Sequence, residues 1–289
     1  MEIFLKLKLK LGLIGNAIAK SRAPAFHIFL GKLHGIEVTY ELFDPKTTTN
    51  RGFIDQLNYL CDNGYNGCNV TYPFKQIAMQ SVQSYEASSQ LVGATNTIKF
   101  STERCAINTD YSGFIRAIKS KLDTVDLGSS LILGAGGVGC AVAFGLASLS
   151  RGTCHIFDTS AIKASELVDA LRKNGSDALV VQQSELKTVS HKVEGILNCS
   201  PIGHYQSPGM PICSEYIGNQ KWAFDAVYTP LDTEFLQTCR NANVRTISGF
   251  ELFFYQGLDA FEFWTEQKAN EQTVKEAFIH ESGLDATLI

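Results

Sequence analysis

Two ionisable side chains and one glycine-rich loop indicate the chemistry that this chain can perform. Lys75 lies in the segment NVTYPFKQ and Asp110 in NTDYSGF, each at the predicted opening turn of a helix. Further along, residues 134–139 spell GAGGVG. An amine and a carboxylate can exchange a proton with a reacting hydroxyl, and a glycine loop of this spacing is typical of nicotinamide dinucleotide sites. Together they predict oxidation of an alcohol, the reaction class of a dehydrogenase.

The glycine loop has the sequence context that a dinucleotide site requires. It follows the apolar strand predicted at 130–133 and opens a predicted helix. The first glycine permits the tight turn, the second lets the backbone approach the pyrophosphate, and the third allows close helix–strand packing. The helix N-terminus then presents N–H groups to the phosphates. The predicted cofactor contacts in this loop are Gly134, Ala135, Gly136, Gly137, Val138 and Gly139.

Asp158 predicts which dinucleotide binds. It ends the next predicted strand, about 20 residues after the loop, where a carboxylate can accept both ribose hydroxyls of NAD. The same charge would repel the 2′-phosphate of NADP, which is normally held by Arg. Thr159 follows it, and Lys163, on the next predicted helix, is the nearby cation. We therefore expect NAD as the cofactor in preference to NADP.

Local sequence also predicts how Lys75 and Asp110 are held. Pro73 suits the first position of a helix, with Thr71 or Tyr72 as its cap, so Lys75 would lie in the first turn. Asp110 can itself cap the helix that follows. As a carboxylate, Asp110 would hold Lys75 in place and share in proton transfer.

These residues need a framework, and the apolar periodicity predicts one of the α/β class. The first part alternates strands and helices. The second part has the pattern of a doubly wound, Rossmann-type domain with parallel strands. The predicted strands are 3–15, 37–43, 67–70, 130–133, 155–158, 179–182, 195–199, 222–227 and 244–247; the predicted helices are 24–33, 52–63, one from 73, 111–122, 138–149, 161–173, 250–266 and 271–281.

Three segments follow from this pattern. We expect a substrate-binding domain over 1–112, a dinucleotide-binding domain over 113–249, and C-terminal helices over 250–289 that return to the first domain. The C-terminal segment is rich in phenylalanine and contains Trp264, which predicts packing against the body of the protein.

Composition excludes several function classes. The 289 residues carry a net charge of −4, with 45% hydrophobic and 19% charged residues, which is typical of a globular protein and provides no basic surface for nucleic acid or membrane lipids. The eight cysteines form no CxxC motif and no metal-ligand spacing, so we expect neither a metal site nor disulfides. The N-terminal apolar run is broken by Lys6, Lys8 and Lys10 and predicts a strand, not a targeting segment. We expect a cytoplasmic protein, monomeric or homodimeric, with a small-molecule substrate.

Several segments, in order along nearly the whole chain, resemble the shikimate/quinate dehydrogenase family. They are GLIGNAIAKSRAPAFH, GYNGCNVTYPFK, GATNTI, INTDYSGF, LILGAGGVG, ILNCSPIG, FDAVYTPLDTEFL and SGFELFFYQGLDAFEFW. By this resemblance Lys75 and Asp110 are the catalytic pair. The residues implied to hold a hydroxylated cyclohexane acid are Ser21, Thr71, Lys75, Asn96, Asp110, Tyr228 and Gln256. Ser200 and Gly249 are implied to lie near the nicotinamide, and Ala226 is implied to bind the cofactor.

The chain also departs from the family pattern. The substrate loop of the family carries a second hydroxyl two places after the first, where this chain has Ala23. That removes a hydrogen bond worth about 1–3 kcal/mol in a buried site, although Arg22 could compensate. The Asn-Arg-Thr cofactor segment of the family is absent, and Asp158-Thr159 stands in its place. In this the chain resembles the NAD-using, catabolic branch of the family. His204 stands where Met is common and is expected to be a loop residue.

Two alternatives to a shikimate or quinate dehydrogenase remain open at the level of sequence. Ala23 could mark a dehydrogenase of an altered shikimate analogue. A ligand-sensing protein on the same fold is the other, since a fold alone does not determine function. Such a sensor would be expected to lose the Lys/Asp pair or to carry a DNA-binding appendage, and neither is seen.

Overall fold

The computed structural model describes residues 7–45, 48–122 and 127–288. The chain forms two compact units. The first comprises Met1–Thr109 and Gln256–Leu284, and the second Asp110–Tyr255 and Asp285–Ile289. The predicted fold class, an α/β domain followed by a Rossmann-type doubly wound domain with C-terminal helices that return to the first, is confirmed. The domain bounds 1–112, 113–249 and 250–289 stay a prediction.

The first unit is built on a six-stranded mixed sheet with strand order β2-β1-β3-β5-β6-β4. Its strands are β1 Lys8–Ile14, β2 Glu37–Phe43, β3 Gly67–Val70, β4 Ser84–Tyr85, β5 Thr97–Phe100 and β6 Arg104–Ile107. Its first helices are α1 Ala23–Leu33, α2 Asn50–Asp62, α3 Lys75–Met79 and α4 Ala87–Val92. The part of the first predicted strand at residues 3–6 lies outside the described residues.

Strands β1, β2 and β3 are parallel, as the alternation of strand and helix predicted. The hairpin of β5 and β6 is a finding that the sequence pattern missed. β5 pairs antiparallel with both β3 and β6. These strands have only four residues each, too short for a clear period, so pairing with each other and with β3 and β4 decides their conformation.

The caps predicted for the helices of Lys75 and Asp110 are wrong. The Tyr72–Pro73 peptide is cis, and α3 begins at Lys75 with Phe74 in the cap position and no side-chain cap. Pro73 is therefore not helical, and neither Thr71 nor Tyr72 caps. The next helix, α5, spans Thr109–Lys121, so Asp110 lies within its first turn and does not cap it.

The second unit is built on an all-parallel sheet with strand order β12-β11-β10-β7-β8-β9. Its strands are β7 Ser130–Leu133, β8 Cys154–Phe157, β9 Ala178–Val180, β10 Gly195–Asn198, β11 Trp222–Asp225 and β12 Arg245–Ile247. The order reverses between β7 and β10, as in a doubly wound sheet, and ligands of such sheets bind outside the carboxyl ends of the strands at that switch point. The helices after α5 are α6 Gly137–Leu149, α7 Ala161–Lys173, α8 Leu186–Ser190, α9 Glu234–Asn241 and α10 Gly249–Thr265.

The first C-terminal helix, α10, is rich in apolar residues, and most of its side chains are buried. In α10, Phe250 and Phe254 belong to the second unit, whereas Phe261 and Trp264 belong to the first, and each of the four is at most 5% exposed. The last helix, α11 Glu271–Ser282, packs on α1 in the first unit. This confirms the core packing predicted for the aromatic residues. Among the helices of the described residues, none has the length and apolar character to span a membrane.

Candidate functional site

The glycine loop between β7 and α6 has the geometry that the GxGxxG spacing predicts. Gly134 has φ +108°, which L side chains rarely adopt, so the turn out of β7 requires glycine. A Cβ on Gly139 would lie 2.0 Å from the carbonyl oxygen of Gly134, so this position packs the helix directly on the turn. These two glycines form the turn itself.

Gly136 differs from both. It caps the N-terminus of α6, and a Cβ built on it would meet nothing within 4 Å. No contact within the described residues therefore requires a glycine at this position. An open approach to a helix N-terminus suits the pyrophosphate of a dinucleotide. The residues of the loop fit a dinucleotide on this observation.

Asp158 follows β8 and is attached to the same loop. The backbone N–H of Ala135 donates to its Oδ2 at 2.7 Å, and the N–H of Ser160 donates to its Oδ1 at 2.8 Å. Each carboxylate oxygen keeps acceptor capacity for a ribose hydroxyl. Thr159 and Lys163 are exposed beside it, the latter in the first turn of α7, which Ser160 caps.

The carboxyl ends of β10, β11 and β12 place three further predicted cofactor residues along this edge. Ser200 follows β10, Ala226 follows β11, and Gly249 follows β12. A Cβ on Gly249 would lie 2.5 Å from the Val227 carbonyl oxygen, so the segments after β11 and β12 are in close contact. Tyr228 is half-buried in this unit, with its ring stacked on Phe253 at 4.8 Å.

In the first unit, one edge of the sheet collects the polar residues predicted for the substrate. Thr71 follows the carboxyl end of β3, beside β1, which leads into the loop containing Ser21. β5 runs antiparallel to β3, so its start brings Asn96 to the same edge, where Val70 N–H donates to the Asn96 carbonyl at 2.8 Å. The end of β6 adds Thr109, and Asp110 follows it in the chain.

Asn96 and Thr109 are linked directly at this edge. The amide oxygen of Asn96 accepts the backbone N–H of Thr109 at 2.8 Å, and its Nδ2 donates to Thr109 Oγ1 at 2.9 Å. Both side chains are buried. The first turn of α5 is therefore attached to the start of β5 immediately before Asp110. The contact of Asn96 with substrate stays a prediction.

Lys75 is half-buried and its backbone is anchored on two sides. Its carbonyl accepts the N–H of Thr95 at 2.9 Å. The preceding residue, Phe74, is buried and stacks on Phe53 at 5.2 Å. The side chain of Thr71 lies against Gly15, where a Cβ would come within 2.2 Å of Thr71 Cγ2. These contacts give the segment one defined path.

The predicted substrate loop leads into α1. The hydroxyl of Ser21 accepts the N–H of Ala23 at 3.3 Å, which leaves its hydrogen able to donate to a ligand. Ala23 is half-buried and is the first residue of the helix. Gln256 lies on α10, in the first unit, where neighbouring Gly257 is in close contact with Phe26 of α1.

Further polar residues are buried in both units, and the sequence pattern did not predict them. Asn69 accepts the Tyr40 hydroxyl at 2.7 Å and donates to Thr97 Oγ1 at 2.9 Å. In the second unit, Asn198 and Asp225 are fully buried. The sequence does carry a signal for Asn198 and Asp225, since each is the polar final residue of an otherwise apolar strand, GILN and WAFD.

Asp225 has an altered acidity. Burial raises its pKa to about 6, against hydrogen bonds from Thr233, Val227 and Asn198 that lower it. The pKa of His27, which is buried on α1, is shifted in the opposite direction. Burial lowers its pKa to about 3, partly offset by the Asn69 side chain.

Comparisons with known proteins extend over both units. A family model described as the shikimate dehydrogenase substrate binding domain matches residues 13–98. The shikimate dehydrogenase (NADP(+)) of Pseudarthrobacter chlorophenolicus is 30% identical over 93% of this chain and 93% of its own. The quinate/shikimate dehydrogenase (NAD(+)) of Corynebacterium efficiens is 29% identical over 93% of this chain and 97% of its own.

Solved structures give the same result. Quinate dehydrogenase from Corynebacterium glutamicum in complex with NAD matches with a TM-score of 0.87 at 28% identity, over 94% of this chain and 99% of that one. The similar proteins therefore include enzymes named for NAD and enzymes named for NADP.

Proposed function

The chain belongs to the shikimate/quinate dehydrogenase family, and on that premise we propose that it oxidises a ring alcohol of shikimate, quinate or both with a nicotinamide cofactor. The products would be 3-dehydroshikimate and 3-dehydroquinate. The observation that carries the proposal is the open N-terminus of α6 at Gly136 beside the anchored carboxylate of Asp158. It is supported by the polar edge of the sheet in the first unit.

We propose a division of roles among the chain's own residues. Nζ of Lys75 receives the hydroxyl proton, and the carboxylate of Asp110 shares in that transfer. Ser21, Thr71, Asn96, Tyr228 and Gln256 bind the hydroxyls and carboxylate of the acid. Short neutral hydrogen-bonding groups suit such a polyol, because any that stay unpaired with a wrong substrate penalise its binding. The chemistry that a bound nicotinamide dinucleotide supplies is acceptance of the hydride from the alcohol carbon.

We further propose that NAD is the preferred cofactor. The carboxylate of Asp158 is held by two backbone N–H groups and cannot easily turn away from a ligand. Close approach of a 2′-phosphate to it would be repulsive. Lys163 is exposed on α7, where solvent weakens any compensation from its charge.

One experiment tests both the activity and the cofactor preference. Initial rates are measured for shikimate and quinate, each with NAD and with NADP, using the wild type and Asp158→Asn. We expect turnover of at least one acid, faster with NAD. The variant should lower the NAD-to-NADP ratio by roughly tenfold or more, because the repelling charge is gone. A wild type faster with NADP would reject the NAD preference and leave the reaction in place.

Ala23 supports one alternative substrate. Its half-buried methyl replaces a hydroxyl at the start of α1, so an analogue of shikimate altered at the contacting group could bind better. If neither acid is turned over while NAD binds, Ala23→Ser should restore activity on shikimate under this alternative. Binding of NAD with no turnover by either protein would favour a ligand-sensing role.

A further inference from the structure

Asn198, Asp225 and Thr233 form a buried polar group in the second unit that the proposed chemistry does not use. They lie at the ends of β10 and β11 and in the cap position of α9. Each is at most 1% exposed. Burying a carboxylate is costly unless donors surround it, so the contacts of Asp225 are informative.

Asp225 accepts three hydrogen bonds. Its Oδ1 accepts Asn198 Nδ2 at 2.9 Å and the backbone N–H of Val227 at 2.9 Å. Its Oδ2 accepts the Thr233 hydroxyl at 2.6 Å. One carboxylate thus ties the end of β10, the segment after β11 and the start of α9 together.

Asn198 extends the network into the loop after β10. Its Oδ1 accepts the backbone N–H of Ser200 at 3.1 Å and the hydroxyl of Ser200 at 2.7 Å. The second hydrogen of its Nδ2 donates to the carbonyl of Ile202 at 2.8 Å. Every hydrogen-bonding group of the Asn198 side chain is therefore in use: one Nδ2 hydrogen binds Asp225, and the other groups shape residues 200–202.

This loop contacts the dinucleotide turn. A Cβ on Gly134 would lie 2.9 Å from the carbonyl carbon and oxygen of Cys199 and from the nitrogen of Ser200. The N–H of Ala226 donates to the Asn198 carbonyl at 2.8 Å. The network therefore determines the backbone path on the β10 and β11 side of Gly134.

The sheet order identifies which half of a dinucleotide faces this path. Asp158, the proposed ribose ligand, follows β8, on one side of β7. The pyrophosphate would lie at the start of α6, directly after β7. The second nucleotide must then extend to the other side of β7, over the ends of β10 and β11.

We propose that Asn198 and Asp225, with Thr233, are positioning residues that fix the backbone of residues 200–202 and 226–228 against the nicotinamide half of the cofactor. This inference rests on the proposed function. It requires no contact between Asp225 and the cofactor, because the carboxylate acts through Asn198 and the Val227 N–H. Its role is to hold the nicotinamide in one orientation.

The test compares binding of NAD with binding of ADP-ribose, which lacks the nicotinamide, in wild type and Asp225→Asn. Asparagine keeps the size of the side chain but cannot accept all three donors. We expect NAD affinity and kcat to fall by roughly tenfold each, while the ADP-ribose Kd stays within about twofold. If the wild type prefers NADP, the probes are NADP and 2′-phospho-ADP-ribose.

A second set of variants keeps the test valid should Asp225→Asn not fold. Thr233→Ala removes the donor to Oδ2, whereas Thr233→Ser retains it and should restore wild-type behaviour. Thr238→Ala is the matched control on the same helix, because its hydroxyl donates to the carbonyl of Glu234. We expect only Thr233→Ala to weaken NAD binding selectively.

Three outcomes would overturn the inference. Equal weakening of NAD and ADP-ribose would show a general loss of structure, and unchanged NAD binding and kcat in Asp225→Asn would show that the network does not position the cofactor. In both cases wild-type dehydrogenase activity would still support the proposed function. A wild type that binds neither probe would remove the proposed function and the inference together.

Discussion

Lys75 shows how one side chain is given a defined position by its neighbours. Phe74 anchors the segment in the core, and Thr95 donates to the Lys75 carbonyl. Both contacts fix the backbone from which the amine extends. A proton-transfer group needs this kind of anchoring, because rates depend steeply on geometry.

Replacing Lys75 by Ala should lower kcat by about 10²–10⁴-fold, the usual contribution of a general acid or base. The Kd for NAD should stay within about twofold, because Lys75 belongs to the first unit and the glycine loop to the second. Steady-state kinetics and calorimetric titration measure the two quantities.

Lys32→Ala is the matched control, since Lys32 is exposed on α1 and its ion pair with Glu281 is solvent-screened. A Lys75 variant with the turnover of this control would refute the proposed role.

At the scale of the element, the glycines in the turn from β7 into α6 have different roles: some are required by the fold, and one is required by a ligand. Gly139 packs on the carbonyl of Gly134, while Gly136 faces open space. The GxGxxG spacing predicts both positions but not which serves which purpose. The difference is directly testable.

Gly136→Ala should fold with an unfolding free energy within about 1 kcal/mol of wild type, because its methyl meets no protein atom. Its NAD affinity should nevertheless fall by roughly tenfold or more, since the methyl occupies the approach of the pyrophosphate. Gly139→Ala should lose both stability and NAD affinity, because its Cβ would lie 2.0 Å from the Gly134 oxygen. Thermal melts and titration with NAD distinguish the two. A stable Gly136→Ala with unchanged affinity would contradict the assignment.

Most of the long helices and strands were predictable, because their apolar residues repeat with a clear period. The helix predicted over 161–173 is α7 Ala161–Lys173, because its apolar residues repeat at helical spacing between a serine cap and a lysine-containing last turn. The short strands β5 and β6 and the eight-residue helix α9 were not predicted. Four residues such as TIKF carry too little periodicity, and this strand also pairs with β3, from which α3, β4 and α4 separate it in the chain.

At the scale of the whole molecule, two buried ionisable groups make the stability of the two units depend on pH in opposite directions. His27 in the first unit has its pKa lowered from 6.5 to about 3 by burial. Asp225 in the second has its pKa raised from 3.8 to about 6, also by burial. Between pH 6 and 4, acidification destabilises the folded state through His27 and stabilises it through Asp225.

The stability supplied by neutral His27 is complete above pH 6.5. It should decline at about 1.4 kcal/mol per pH unit as the pH falls toward 3, because only the unfolded chain binds the proton there. At pH 4.5 about 3 kcal/mol should be lost. Unfolding free energies of wild type and His27→Gln, measured from pH 7 to 4.5, isolate this slope, since loss of the ring contacts with Tyr40 and Trp264 adds only a constant offset.

His280→Gln, at an exposed site on α11, is the matched control. Parallel pH profiles for wild type and His27→Gln would contradict the prediction. On acidification, the backbone amides of β1 and β3 should lose protection from hydrogen exchange before those of β7 and β10.

The sequence by itself determined the fold class, the turn at Gly134, the position of Asp158 after its strand and the candidate pair Lys75 and Asp110. These depend on residue types and spacings within a single strand–loop–helix unit, which local sterics and hydrogen bonding control. Only the tertiary structure decided that Asn96 holds the N–H of Thr109, and that Asp225 links Asn198 to Thr233. Those partners are brought together by strand order and register, which depend on the packing of the whole sheet and not on any local pattern.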